Sequence, residues 1–196
     1  MCRPGQDEVN IEGGMVQLGD GTIVALDTYV VPSDTQGVGT GEVWTSTNDW
    51  RTVEGPREVS FELPRVDYDA STDDGGHSHR AARLHRSLLE LPGGDLLTTM
   101  YTWFAEDKAP CAYMPSMLKT RALLIRSTDR GQTWTCQSTI AADDGVGSEG
   151  FTEPVLLRIS AGELEGRLIC MMRTGRDLYE AHSDDDGDTW SIYRPV

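Results

Sequence analysis

The chain has 196 residues, of which 38% are hydrophobic and 25% charged, the balance of a folded domain with a core rather than of a disordered segment. Seventeen basic residues against 32 acidic ones leave a net charge of −15 with histidine neutral. Such a surface repels phosphate backbones and anionic lipids, so neither nucleic acid nor a membrane is an expected partner.

In chain order, residues 1–6 carry an Arg but no apolar run behind it, so no signal peptide is expected at this start. No apolar stretch approaches the roughly 18 residues of a membrane span. The first strand signal is Met15-Val16-Gln17-Leu18. After Gly19-Asp20-Gly21 comes a second run, Thr22-Ile23-Val24. Asp-Gly supplies the positive φ of a tight hairpin turn, so the two runs predict a β-hairpin. Asp34 falls in the polar stretch that follows. A third strand is expected at Gly41-Glu42-Val43-Trp44-Thr45, followed by the turn-like segment 46–53. Residues 67–79 are polar and rich in Asp and Gly, which predicts a surface loop.

The hairpin then recurs. Leu88-Leu89-Glu90-Leu91 and Asp95-Leu96-Leu97 flank Pro92-Gly93-Gly94, a shift of 73 residues from the first copy. Strands are also expected over residues 121–126 and 133–140. A third hairpin pairs residues 155–159 with 166–172. Repetition at a nearly constant interval is the signature of a repeat architecture, and four short strands per copy is that of a β-propeller blade. The boundaries read from the repeat are about 11–62, 83–140 and 150–194.

Each copy closes on a shared turn. Ser127-Thr128-Asp129-Arg130-Gly131-Gln132-Thr133-Trp134 and Ser183-Asp184-Asp185-Asp186-Gly187-Asp188-Thr189-Trp190 both fit Ser-x-Asp-x-Gly-x-x-Trp. The Asp can accept N–H groups of its own turn, the Gly permits a sharp reversal, and the Trp packs on a sheet. The first copy holds a decayed form, Ser46 to Val53, with Trp50 in place of Gly and Val53 in place of Trp. The expected role is structural.

Aligning the hairpins places Gly13, Arg86 and Glu153 two residues before each first strand, with Glu12, Arg83, His85 and Glu149 nearby, and Arg173 at the end of a second strand. In a propeller such positions line one funnel, so Arg86, Glu153 and Arg173 are expected on one rim. Arg presents a fork of donors suited to a carboxylate, and a Glu beside it suits a base or an electrostatic stabiliser. The same residues are equally explained as surface ion pairs at strand ends. His77, His79 and His85, and the pairs Glu106-Asp107 and Asp143-Asp144, lack the spacing of known metal sites, and no metal or cofactor is expected. Cys2, Cys111, Cys136 and Cys170 include no Cys-x-x-Cys pair. Buried free thiols are expected, with Cys111 and Cys136 the pair open to oxidation.

On these turns and repeats, most of the chain from residue 11 onward resembles the sialidase (neuraminidase) superfamily of Asp-box, or BNR-repeat, propellers. The resemblance implies an all-β, six-bladed sialidase-like β-propeller, of which about three four-stranded blades are present, so that residues 1–196 form a partial domain. It implies release of terminal sialic acid from glycoconjugates, an exo-α-sialidase reaction with a Tyr nucleophile. Glu153 would then be the base that takes the Tyr proton. Arg173 would be one carboxylate clamp, Arg86 has the look of another, and Asp34 is the candidate acid. The family's Arg-Ile-Pro motif is absent where residues 11–14 read Ile-Glu-Gly-Gly, and the nucleophilic Tyr and third Arg are expected in later blades. Two other readings stand beside this one: a non-catalytic Asp-box propeller binding glycan or protein, and an Asp-box glycosidase for neutral sugars.

Overall fold

A computed structural model describes residues 11, 13–66, 82–115 and 117–196. Thirteen strands form: β1 (Gly14–Gln17), β2 (Ile23–Leu26), β3 (Tyr29–Pro32), β4 (Val38–Ser46), β5 (Glu54–Glu62), β6 (Ala82–Glu90), β7 (Leu96–Thr102), β8 (Arg121–Ser127), β9 (Thr133–Ala141), β10 (Thr152–Arg158), β11 (Leu168–Arg173), β12 (Leu178–Ser183) and β13 (Arg194–Pro195). They build three consecutive antiparallel sheets, β1-β2-β4-β5, β6-β7-β8-β9 and β10-β11-β12-β13. The fold is all-β, a partial β-propeller. Two bridges tie the first sheets together: β3 pairs with both β4 and β6, and β5 runs parallel to β9. These bridges close a seven-strand circuit that the repeat alone does not predict. No helix among the described residues is long and apolar enough to cross a membrane.

The middle sheet is buried on both faces. Leu96, Met100, Leu123 and Ile125 pack towards the first sheet, against Val24, Leu26, Val43 and Phe61. Their neighbours Leu97, Ala122 and Leu124 pack towards the third, against Leu156, Leu168, Cys170 and Met172. Side chains alternate along a strand, so a strand covered on both faces reads as an unbroken apolar run such as Ala122-Leu123-Leu124-Ile125. Cys111 and Cys136 are free thiols rather than a disulfide, and Cys170 is buried and free.

The repeated turns are built alike. Asp129 Oδ1 accepts the N–H groups of Gln132 at 3.0 Å and Thr133 at 2.9 Å, and Ser127 Oγ accepts that of Gly131 at 2.8 Å. In the third sheet Asp185 Oδ1 accepts from Thr189 N–H at 2.9 Å, and Ser183 Oγ from Gly187 N–H at 2.9 Å. The tryptophans reach back to the preceding sheet. Trp134 stacks on Phe61 with centroids 5.9 Å apart, and Trp190 Nε1 donates to Ser138 Oγ at 3.0 Å. The decayed turn keeps the scaffold with Asn48 in the acidic position, its Oδ1 accepting Thr52 N–H at 2.9 Å.

That turn carries strain. The equivalents of Gly131 (φ 83°) and Gly187 (φ 92°) is Trp50, held at φ 63°. A Cβ in this left-handed region costs roughly 1–2 kcal/mol. Trp50→Gly is therefore expected to stabilise the protein by about 1 kcal/mol once its half-buried ring is discounted, raising Tm by about 2–4 °C. A scanning-calorimetry Tm unchanged or lower in the variant would show that the ring contributes more than the strain costs.

The innermost strands meet at matching irregularities. β6 is bulged between Leu84 and Leu88, and β10 between Thr152 and Val155. Arg86 and Glu153 occupy these bulges at φ 49° and φ 46°. The corresponding stretch of β1 holds Gly14, where a Cβ would lie 2.8 Å from the Ser87 carbonyl carbon. Ser87 Oγ accepts Leu156 N–H at 2.6 Å, and Thr99 Oγ1 donates to Pro154 O at 2.8 Å. Bulges re-aim side chains, and these nest three backbones around one centre.

Candidate functional site

Beside those bulges lies a cavity lined by residues from both the second and third sheets, among them Arg83, Tyr101, Trp103, Glu149, Glu153 and Arg173. Arg83 precedes the β6 bulge and sits in register with Tyr29 on one side and Tyr101 on the other. Its guanidinium carbon is 5.3 Å from the Tyr29 ring centroid and 5.7 Å from that of Tyr101. Two tyrosine faces thus hold the cation in place. Its Nε is buried and has no hydrogen-bond partner, and the same is true of Trp103 Nε1. Buried donors left unpaired are uncommon and call for an explanation. Burial, chiefly, pushes the Tyr101 phenol up to about 12, so it stays protonated at neutral pH.

Glu149 and Glu153 converge on one guanidinium. Glu153 Oε1 lies 2.7 Å from Arg173 Nη1, and Glu149 Oε1 lies 3.4 Å from Arg173 Nη2. Thr152 and Arg173 are opposite each other in the β10–β11 ladder, which sets this approach. The two carboxylates, Glu149 first, raise the Arg173 pKa further. Glu149 is 6% exposed and also accepts Thr152 Oγ1–H at 3.1 Å and the Tyr113 hydroxyl. Its backbone is clamped: Thr120 N–H donates to Glu149 O at 2.9 Å, and Phe151 N–H to Thr120 O at 2.9 Å. Gly147 makes the turn before it possible, since at φ +58° a Cβ there would lie 2.1 Å from Thr174 O.

Of the residues singled out by sequence, Glu153 and Arg173 form an ion pair in this cavity. Arg86 is exposed at its bulge and is not among the residues lining the cavity; Arg83, three residues earlier, is. A bulge breaks the period-two alternation, so counting back from the apolar run named the neighbouring Arg. Asp34 is exposed in the turn after β3 and also lies outside the lining. Glu12, His77 and His79 fall outside the described residues. Among the described residues no cluster of His, Cys, Asp and Glu could hold a metal ion.

Trp103, Tyr113 and Met117 were not signalled by the repeat. They belong to the connection between β7 and β8, which is longer than its counterparts at residues 27–37 and 174–177. Its span, residues 103–120, exceeds the roughly 12–15 residues beyond which a loop commonly serves function, and that length was the available signal.

No protein-family model matches the sequence, and no curated protein matches it. The structure does match solved ones. A protein of unknown function from Dyadobacter fermentans aligns with a TM-score of 0.60 at 19% identity, over 93% of this chain and 49% of the other. The α-L-arabinofuranosidase Arb93A of Fusarium graminearum, in complex with an iminosugar inhibitor, aligns with a TM-score of 0.57 at 17% identity, over 93% and 47%. An α-L-arabinanase of Penicillium chrysogenum complexed with arabinobiose gives 0.56 at 19%, over 93% and 48%. The chain spans about half the length of these neighbours. At such identities the likeness is one of fold.

Proposed function

We propose that the chain contributes part of a glycoside-hydrolase site that receives one terminal sugar residue, an acidic one, in an exo-sialidase type of reaction. The observation that carries this reading is the cavity's composition: two carboxylates sharing Arg173 beside a second arginine, Arg83, whose buried Nε has no hydrogen-bond partner among the described residues. Most glycoside hydrolases use paired carboxyl groups, and the sialidase type uses a glutamate beside a Tyr nucleophile; either scheme needs a positioned glutamate. An acidic sugar needs in addition a cation whose charge is not already spent. Arg173 is shared by Glu149 and Glu153, whereas among the described residues the Arg83 guanidinium contacts the ring faces of Tyr29 and Tyr101. In this reading Arg83 takes the sugar carboxylate, Glu153 is the base and Arg173 orients both glutamates. Arg83 thereby assumes the part that the sequence suggested for Arg86, and Asp34 is left without one. No nucleophile is assigned within this chain, since the resemblance places that Tyr in later blades.

The pairing of Arg173 with two glutamates favours a second reading, a neutral-sugar glycosidase in which Arg173 is purely structural. Hydrolysis by the full-length protein of a fluorogenic α-sialoside and, separately, a fluorogenic α-L-arabinofuranoside distinguishes the two. Release from the sialoside alone is expected; release from the arabinofuranoside alone supports the second reading, and release from neither supports a non-catalytic binding propeller.

A further inference from the structure

We infer that Tyr113 is a displaceable latch on Glu149, occupying the place that a hydroxyl group of the sugar takes on binding. The inference rests on reading the cavity as a sugar site, and it concerns how that site opens.

The two oxygens of Glu149 are held differently. Oε1 is fixed by Thr152 Oγ1 at 3.1 Å and by Arg173 Nη2 at 3.4 Å, both from the β10–β11 ladder. Among the described residues, Oε2 is bonded by Tyr113 alone, from the β7–β8 connection. Thr152 is 7% exposed and packed in its strand, whereas Tyr113 stands on a connection and is mostly exposed.

Tyr113 is suited to moving. It is 58% exposed although its hydroxyl reaches a carboxylate that is 6% exposed. Swinging the ring outward therefore uncovers little apolar surface, and the main loss is a single hydrogen bond to a charged group. The segment beneath it stays anchored. Cys111 and Met117 are buried on either side, Cys111 N–H donates to Met117 O at 2.9 Å, and Ala112 N–H donates to Ser148 O at 2.7 Å. The motion is thus a side-chain rotation over a fixed base.

The chemistry of the displacing group follows. Glu149 Oε2 is an acceptor, so whatever replaces the phenol must donate. A cationic donor is already present in Arg173, and an anion would be repelled. A neutral hydroxyl is the group that restores the lost bond, and a sugar ring carries several. The same exchange makes the apo cavity smaller than the occupied one and ties opening to the arrival of a ligand able to repay the bond.

Carboxyl footprinting with a water-soluble carbodiimide and glycine ethyl ester, read by peptide mass mapping, tests this without needing turnover. In Tyr113→Phe, Glu149 should be labelled about tenfold faster than in the wild type, the factor expected for one charge-assisted hydrogen bond. Labelling of the exposed Glu163 should stay unchanged as a control for folding, and Tyr113→Leu should match Tyr113→Phe. Equal labelling of Glu149 in wild type and variants overturns the latch. N-acetylneuraminic acid added to Tyr113→Phe should then protect Glu149. Faster labelling without protection by this sugar keeps the latch and counts against the sugar reading, so the two fail separately.

Discussion

Trp134→Ala is expected to cost about 3–5 kcal/mol, the range for removing a fully buried large aromatic. Its side chain is 0% exposed, lies parallel to Phe61 at an interplanar angle of 9°, and donates through Nε1 to Gly131 O at 3.2 Å. It fills the junction at which β5 of the first sheet meets β9 of the second. Since domains have only about 5–15 kcal/mol to lose, the variant should sit near the edge of folding at 37 °C. Trp190→Ala, at a half-buried site, should cost distinctly less. Urea unfolding of the three proteins measures both differences. A Trp134→Ala loss below about 1 kcal/mol would mean that the first two sheets are not joined through this ring.

Glu153→Gln is expected to lower glycoside turnover by a factor of about 10²–10⁴, the usual contribution of a general acid or base. Stability should barely change. The ion pair with Arg173 is solvent-accessible, with side chains 51% and 36% exposed, and exposed pairs contribute about 0–1 kcal/mol. Glutamine also keeps the shape that the bulge holds at φ 46°. A residue kept in a left-handed conformation without being glycine points to selection for its side chain rather than for its backbone. Asp34→Asn serves as the contrast and should leave turnover intact. A loss with Asp34→Asn equal to that with Glu153→Gln would return to Asp34 the acid's role that the sequence suggested.

The sequence is most legible where local chemistry is repeated. Asp-Gly and Gly-Gly between apolar runs mark the hairpins β1–β2 and β6–β7, and the two Ser-x-Asp-x-Gly-x-x-Trp segments mark the turns before β9 and after β12, because each rests on backbone preferences a few residues long. The circuit through β3 and the parallel β5–β9 bridge rests on contacts between distant segments that no short pattern encodes. The site divides in the same way. Glu153 and Arg173 follow from their places on a strand and its ladder partner. Arg83 lies beside a bulge that shifts the register of side chains, and Tyr113 stands in a connection whose length differs from copy to copy. The overall charge of −15 also gives no hint that two arginines, Arg83 and Arg173, line this cavity.

The claim on which the account turns is that Arg83 gives this cavity its preference for an acidic sugar. Isothermal titration of N-acetylneuraminic acid into the wild-type protein and into Arg83→Met, with L-arabinose as the neutral counterpart, tests it most directly. Saturable binding of the acidic sugar by the wild type, lost in Arg83→Met and absent for arabinose, is the expected result. Binding of the acidic sugar that survives Arg83→Met, or arabinose bound as well as the acid, would contradict it.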